Sequence, residues 1–255
     1  MTSPTLICKN CSAPLTGKFC QECGQKADTH KITLSHLFHE FFHALTHTDK
    51  GILLLVKEMI LRPGFVAKEY IDGKRKKYFN PFSFLVIASA IYALVVMKSG
   101  YFEAMGGGGN GVRSFGRMPE QFAMYMRESM EIFIHHGKII SLVLVVPLMT
   151  FLSWIFFKKP RYNFAENLVL QSLMMGQINL FMVIIFIPLY LIFGHARLNN
   201  NIFQITFLVY MIVAFKQFFD NNIFIIIIKT IIIHVMFILL YWSLLIGFVF
   251  VRHLF

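Results

Sequence analysis

From residue 81 onward the chain carries apolar runs of about twenty residues that hold almost no charge, beginning with PFSFLVIASAIYALVVM. A helix needs ~20 such residues to cross a ~30 Å hydrocarbon core. In lipid, every backbone polar group must be satisfied inside the segment, so these runs are expected to be helices. They read as transmembrane segments at 81–97, 139–157, 168–193, 202–219 and within 223–251. Lys229 divides the last run, which places its immersed part at 230–251, with the lysine reaching for the interface. An even-numbered alternative joins the last two runs as one re-entrant pair. Composition agrees with a membrane protein: 56% of the 255 residues are hydrophobic and mean hydropathy is +0.63. The first residues lack the basic stretch and apolar core of a cleaved signal peptide.

The net charge of +11 is concentrated beside the apolar runs. GKRKK (73–77) precedes the first, KKPR (158–161) follows the second, and Lys216 and Lys229 flank the turn between the last two. Cytoplasmic loops carry the Lys and Arg excess. Alternating spans therefore put the N-terminus inside and the C-terminus outside. Such a charge pattern favours anionic lipid over nucleic acid as a partner.

All four cysteines fall in CKNCSAPLTGKFCQECG, as Cys8-x2-Cys11 and Cys20-x2-Cys23. Two such knuckles set four thiolates around one tetrahedral Zn²⁺ with no open coordination position, so the expected zinc is structural. Leu15 and Phe19 are the only sizeable apolar residues between the knuckles, too few for a core, so the metal must hold this unit together. Disulfides and redox chemistry are the alternatives, and a reducing cytoplasm favours free thiols.

The helix-period stripe Leu34, Leu37, Phe38, Phe41, Phe42 and Leu45 suits a helix lying in the membrane interface. On its polar side, His39, Glu40 and His43 spell H-E-x-x-H, which on a metalloprotease helix binds zinc through both histidines. The longer form of that motif is missing, because Asp49 stands where its third histidine would be. Glu58 and Glu69 are the acids left as third ligands. A solvated polar face explains the same residues, so no catalytic residue is assigned, and His39 and His43 remain an alternative metal pair. GILLLVKEMIL (51–61) continues as an apolar helix too short to span, either interfacial or packed under the spans.

In RPGFVAKEYIDGKRKKYFNPF (62–82), Pro63 can start a helix and Gly73 can end it. Arg62, Lys74, Arg75, Lys76, Lys77 and Tyr78 form a cation-and-aromatic belt at the first span, where contact with lipid headgroups or a partner is expected. The expected order is a zinc ribbon (1–28), amphipathic and basic juxtamembrane helices (29–80), the first span (81–97), an extracytoplasmic loop with a surface helix (98–137), and spans two to five (138–255). Within that loop GGGGNG (106–111) reads as a linker, since it lacks the Lys-Ser/Thr of a phosphate loop.

The zinc knuckles, the amphipathic segment, and then R-P-G, E-Y-I-x-G-K-R and Y-x-N-P-F before the first span resemble a bacterial family of multi-span membrane proteins classed as a domain of unknown function. The resemblance covers Cys8 to about Leu94. It implies a helical membrane protein with a cytoplasmic zinc ribbon and supplies no activity. H-E-x-x-H is not part of that family pattern. The span count also resembles the Yip-type membrane-trafficking fold. The chain as a whole reads as an all-α integral membrane protein of about five transmembrane helices, with a small cytoplasmic zinc ribbon and interfacial helices. The favoured role is non-enzymatic, presenting the ribbon and interfacial helix to a cytoplasmic protein or to lipid. The alternative is a transporter or pore, suggested by Asn167, Gln171, Ser172, Gln177 and Asn179 in one span and His234 in another.

Overall fold

The structure, a computed structural model, describes residues 6–29, 31–34, 51–101, 104, 122, 124–126, 128–129, 132, 144–157 and 162–253. Its helices in chain order are α1 (Ile52–Leu61), α2 (Pro63–Ile71), α3 (Pro81–Ser99), α4 (Val146–Phe156), α5 (Phe164–Phe181), α6 (Ile187–Phe193), α7 (Ala196–Phe219) and α8 (Ile223–Arg252). A π-helical turn, Met182–Phe186, joins α5 to α6, so the pair runs as one rod of 30 residues. Among the described residues, the only strand-like pairings are isolated bridges in the cysteine segment.

Among the described residues, four rods are long and apolar enough to cross a membrane: α3, α5–α6, α7 and α8. The fifth expected span is represented by α4, whose 11 described residues reach only about 17 Å. The residues expected to begin it, 139–143, lie outside the described residues, as do the H-E-x-x-H residues, KKPR and GGGGNG. The remaining differences from the sequence reading are of extent. Helix α5 begins four residues earlier than expected, because Asn163 and Glu166 form a capping box there. Helix α7 takes in most of the stretch expected to be a loop (194–201), and only Asp220, Asn221 and Asn222 separate it from α8. With 24 and 30 residues, α7 and α8 are each long enough to cross alone, against the re-entrant pairing.

Lys229 does not divide α8. Its Nζ donates to the Phe156 carbonyl at 2.8 Å and lies over the Phe157 ring. A cation at the C-terminus of α4 satisfies an orphaned carbonyl and complements the helix dipole, so α8 runs on through it.

Helix α5 is the centre of the bundle and is buried on nearly every side. It packs on α3, where Gly176 sits so close to the Phe84 ring that a Cβ would come within 2.6 Å. Helices α4, α1 and α2 cover its other faces. At one end of the bundle, Phe157 stacks on Phe219 and Tyr162 lies on Phe218. That end also holds the start of α3, and there the Asn163 amide donates to the Ile32 carbonyl. At the other end, Tyr101 packs edge-on against Tyr190, and Asn199 donates to the Phe186 carbonyl freed by the π turn.

Candidate metal centre and its seat on the first span

The cysteine segment is two copies of one turn, twelve residues apart. Cys8 N–H donates to Ala13 O and Ser12 N–H to Cys8 O, and the same bonds recur from Cys20 to Gln25 and from Gly24 to Cys20. Ser12 and Gly24 occupy matching left-handed positions, with φ of 63° and 70°. Bridges Ile7–Pro14 and Phe19–Lys26 close the two turns.

This geometry brings all four sulfurs within 4.8 Å of one another. Cys8 and Cys23 Sγ are 3.6 Å apart and Cys11 and Cys20 Sγ are 3.5 Å apart, so the thiols are free. A tetrahedron with metal–sulfur bonds of ~2.3 Å has edges of about 3.8 Å, so the donor set fits a metal ion. Burial raises the Cys8 thiol, but hydrogen bonds from the Cys11 and Asn10 backbone outweigh it and bring it down to about 7. Little else holds the unit together, since Phe19 is 60% exposed and Leu15 only half-buried.

The unit is not tethered loosely. Gln25, buried, accepts from the backbone N–H groups of Arg75 (3.1 Å) and Lys76 (3.2 Å). Asn10, inside the first knuckle, accepts from Lys77 N–H at 3.0 Å. Helix α2 ends in a Schellman pair, Gly73 N–H to Tyr70 O and Lys74 N–H to Glu69 O. Gly73 has φ +117°, and a Cβ there would come within 2.8 Å of the Lys9 side chain. The cysteine unit thus sits directly on the loop that leads into α3. That helix opens with Asn80 accepting from Phe82 and Ser83 N–H ahead of Pro81.

Glu69 organises the cations of this loop. Its carboxylate receives Arg62 at 2.9 Å, Lys77 at 2.8 Å and the Tyr78 hydroxyl at 2.8 Å, with Lys74 at 3.6 Å. Burial pushes Glu69 up, but the bonds from Lys77 and Tyr78 hold it down at about 2. Arg62 also meets Glu58 at 3.5 Å. Both acids considered as third ligands for His39 and His43 are therefore engaged with cations. Of the six residues expected to meet headgroups, Tyr78 is 3% exposed and turned inward by Glu69, while Arg62, Lys74 and Lys77 share the same carboxylate.

Of the polar residues of α5, three bond within the bundle, while Ser172 Oγ and Gln177 Oε1 are buried without a hydrogen-bond partner among the described residues. Gln171 donates to Ser153 of α4, Asn179 to Ser89 of α3, and Asn167 back to its own helix start. Bonds of this kind join helices within a bundle.

The sequence reading does not single out Asn10 or Gln25, and takes Glu69 only as a candidate ligand. Both amides contact backbone N–H groups 50 or more residues away, so no side-chain pattern in the loop announces them.

The described residues form an all-α protein with four helices long and apolar enough to cross a membrane and a four-cysteine cluster near the N-terminus. Residues 49–93 match a family model described as a protein of unknown function (DUF3667). The matched stretch holds α1, α2, the Glu69 cluster, the seat of the cysteine unit and most of α3. No curated protein and no solved structure matches the chain.

Proposed function

We propose that this protein is a non-enzymatic integral membrane protein of a bacterial cytoplasmic membrane, whose zinc ribbon caps the cytoplasmic end of the bundle. The ribbon presents a recognition surface to a protein partner, beside cations that meet anionic headgroups. The observation that carries this reading is the seating of the ribbon on residues 75–77 through Gln25 and Asn10. It makes ribbon and loop one surface. Leu6, Ile7 and Phe19 stand exposed on that surface, where apolar side chains suit a protein contact. Zinc is the metal that four thiolates at this spacing select, and it supplies structure rather than chemistry. The cytoplasmic side is supported by free thiols and by the cations gathered at the ribbon end.

The test places a photo-crosslinking residue at Phe19 of the full chain in native membranes. A discrete protein adduct that disappears in Cys20→Ser is the expected result. Adducts to lipid alone, or the same adducts in Cys20→Ser, would remove the partner reading.

A further inference from the structure

Helices α1 and α2 meet at a sharp break, Leu61 to Gly64, and that break lies against the side of α7. Gly64 packs so tightly that a Cβ would strike the Ala214 carbonyl oxygen. Gln217 of α7 clamps the break with both ends of its amide. It accepts from Gly64 N–H at 3.0 Å and donates to the Leu61 carbonyl at 3.1 Å. Tyr210, also of α7, donates its hydroxyl to the Met59 carbonyl at 2.8 Å.

These bonds go to groups that a helix break orphans: terminal carbonyls of one helix and an N-terminal N–H of the next. At a water-facing break solvent fills those positions. In hydrocarbon nothing does, and non-helical backbone is tolerated only where protein satisfies it. The charge at the break is handled the same way. Arg62 lies between Glu58 (3.5 Å) and Glu69 (2.9 Å), a neutralising arrangement that a headgroup-facing arginine does not need.

The outward faces agree. The inner side of α1 buries Leu55 and Met59 in the bundle core. Its outer side shows Leu53 at 82% and Leu61 at 74% exposure, together with Leu54, Ile60 and one exposed cation, Lys57, whose stem is long enough to snorkel to the interface, and Phe65 continues that surface on α2. Depth can be read along α7. Ala214 lies six residues, about 9 Å, before the C-cap Asp220. A helix of 24 residues is about 36 Å long and overhangs a ~30 Å core by about 3 Å at each end. The break, which also meets Gln217 and Phe218, then reaches from the hydrocarbon edge to roughly 6 Å inside it.

We propose that α1 and α2 form a re-entrant hairpin whose break, Leu61 to Gly64, is immersed in the leaflet on the ribbon side, with its outer face against lipid acyl chains. The hairpin leaves from the ribbon end, where Gly51 packs on the Lys77–Phe79 backbone, and returns to it at Gly73. This inference requires that α7 crosses the membrane. It does not depend on any partner of the ribbon.

The test uses the full chain in nanodiscs, with Trp154→Phe and Trp242→Phe as background and one new tryptophan in each variant. Leu61→Trp reports the break, Leu53→Trp the outer face nearer the ribbon, and Lys18→Trp the exposed ribbon. Acyl-brominated lipid should quench Leu61→Trp at least twofold, and iodide should quench it several-fold less than Lys18→Trp. Iodide quenching of Leu61→Trp equal to that of Lys18→Trp puts the break in water and overturns the proposal. Quenching by neither agent means that protein covers the face, which also overturns it. Where Leu61→Trp fails to fold, Ile60→Trp, also exposed beside the break, decides by the same criteria.

Discussion

The ribbon and the bundle are ordered by different physics. The ribbon leaves Phe19 exposed and has four sulfurs where a core would be. The bundle closes over Phe84, Leu170, Met174 and Phe215, all fully buried, and ties Gln171 and Asn179 to neighbouring helices. One region has a four-cysteine cluster able to hold a single ion in place of a core, and the other rests on many small packing terms. What joins them is neither a metal nor a core. Three hydrogen bonds from Gln25 and Asn10 reach main-chain N–H groups, so the joint is indifferent to which side chains residues 75–77 carry. Two regions can therefore share one rigid surface without sharing a folding mechanism.

The largest expected effect breaks the ribbon alone. Cys20→Ser should lose the one bound zinc and unfold residues 6–29, since metal binding and folding are one event in such a unit. The bundle should keep its helix content. Metal analysis with limited proteolysis in detergent checks both, and co-unfolding of the bundle would erase the contrast between regions.

The converse change breaks the bundle and spares the ribbon. Gly64→Leu forces a side chain into the Ala214 carbonyl and the Phe218 amide, and overpacking of this kind costs about 1–3 kcal/mol or more. A clear drop in thermal midpoint with full zinc content is the expected result.

Smaller still is the joint. Gln25→Ala leaves two N–H groups beside a buried site without their acceptor, a penalty of about 1–3 kcal/mol against docking. Amide hydrogen exchange should quicken at residues 75 and 76 while zinc stays bound. Unchanged exchange would show that the ribbon is seated by other contacts.

The smallest effect separates the two knuckles. Ser12 holds a left-handed conformation that Gly24 adopts without strain. Ser12→Gly should stabilise the ribbon by about 0.5 kcal/mol, and Gly24→Ser should weaken it, both visible in competition with a zinc chelator.

Legibility in the sequence followed the range of each interaction. The apolar runs gave the spans because burial in lipid acts on every residue of a segment. The cysteine spacing gave the cluster because both knuckles are local. Asn80-Pro81 and Gly73 marked the helix ends that they make. Lys229 gave no sign that the helix runs on through it, because its partner, the Phe156 carbonyl, is 73 residues away. The break at 61–64 looked like an ordinary Pro-Gly helix start, since nothing near it names Tyr210 or Gln217 as its supports. The His39–His43 pair lies outside the described residues.

Those two supports also set an order of events during synthesis. Tyr210 is 151 residues beyond Met59, and Gln217 is 156 beyond Leu61. At ~5–20 residues per second, a ribosome takes on the order of ten seconds or more to cover that distance. Throughout that interval the break has no side chains to complete it, and water is the only source of its missing hydrogen bonds. On the proposed immersion, a newborn hairpin waits at the membrane surface while α3 to α6 are delivered. It then enters the leaflet only when α7 arrives, which makes the arrival of α7 the timer for settling α1 and α2.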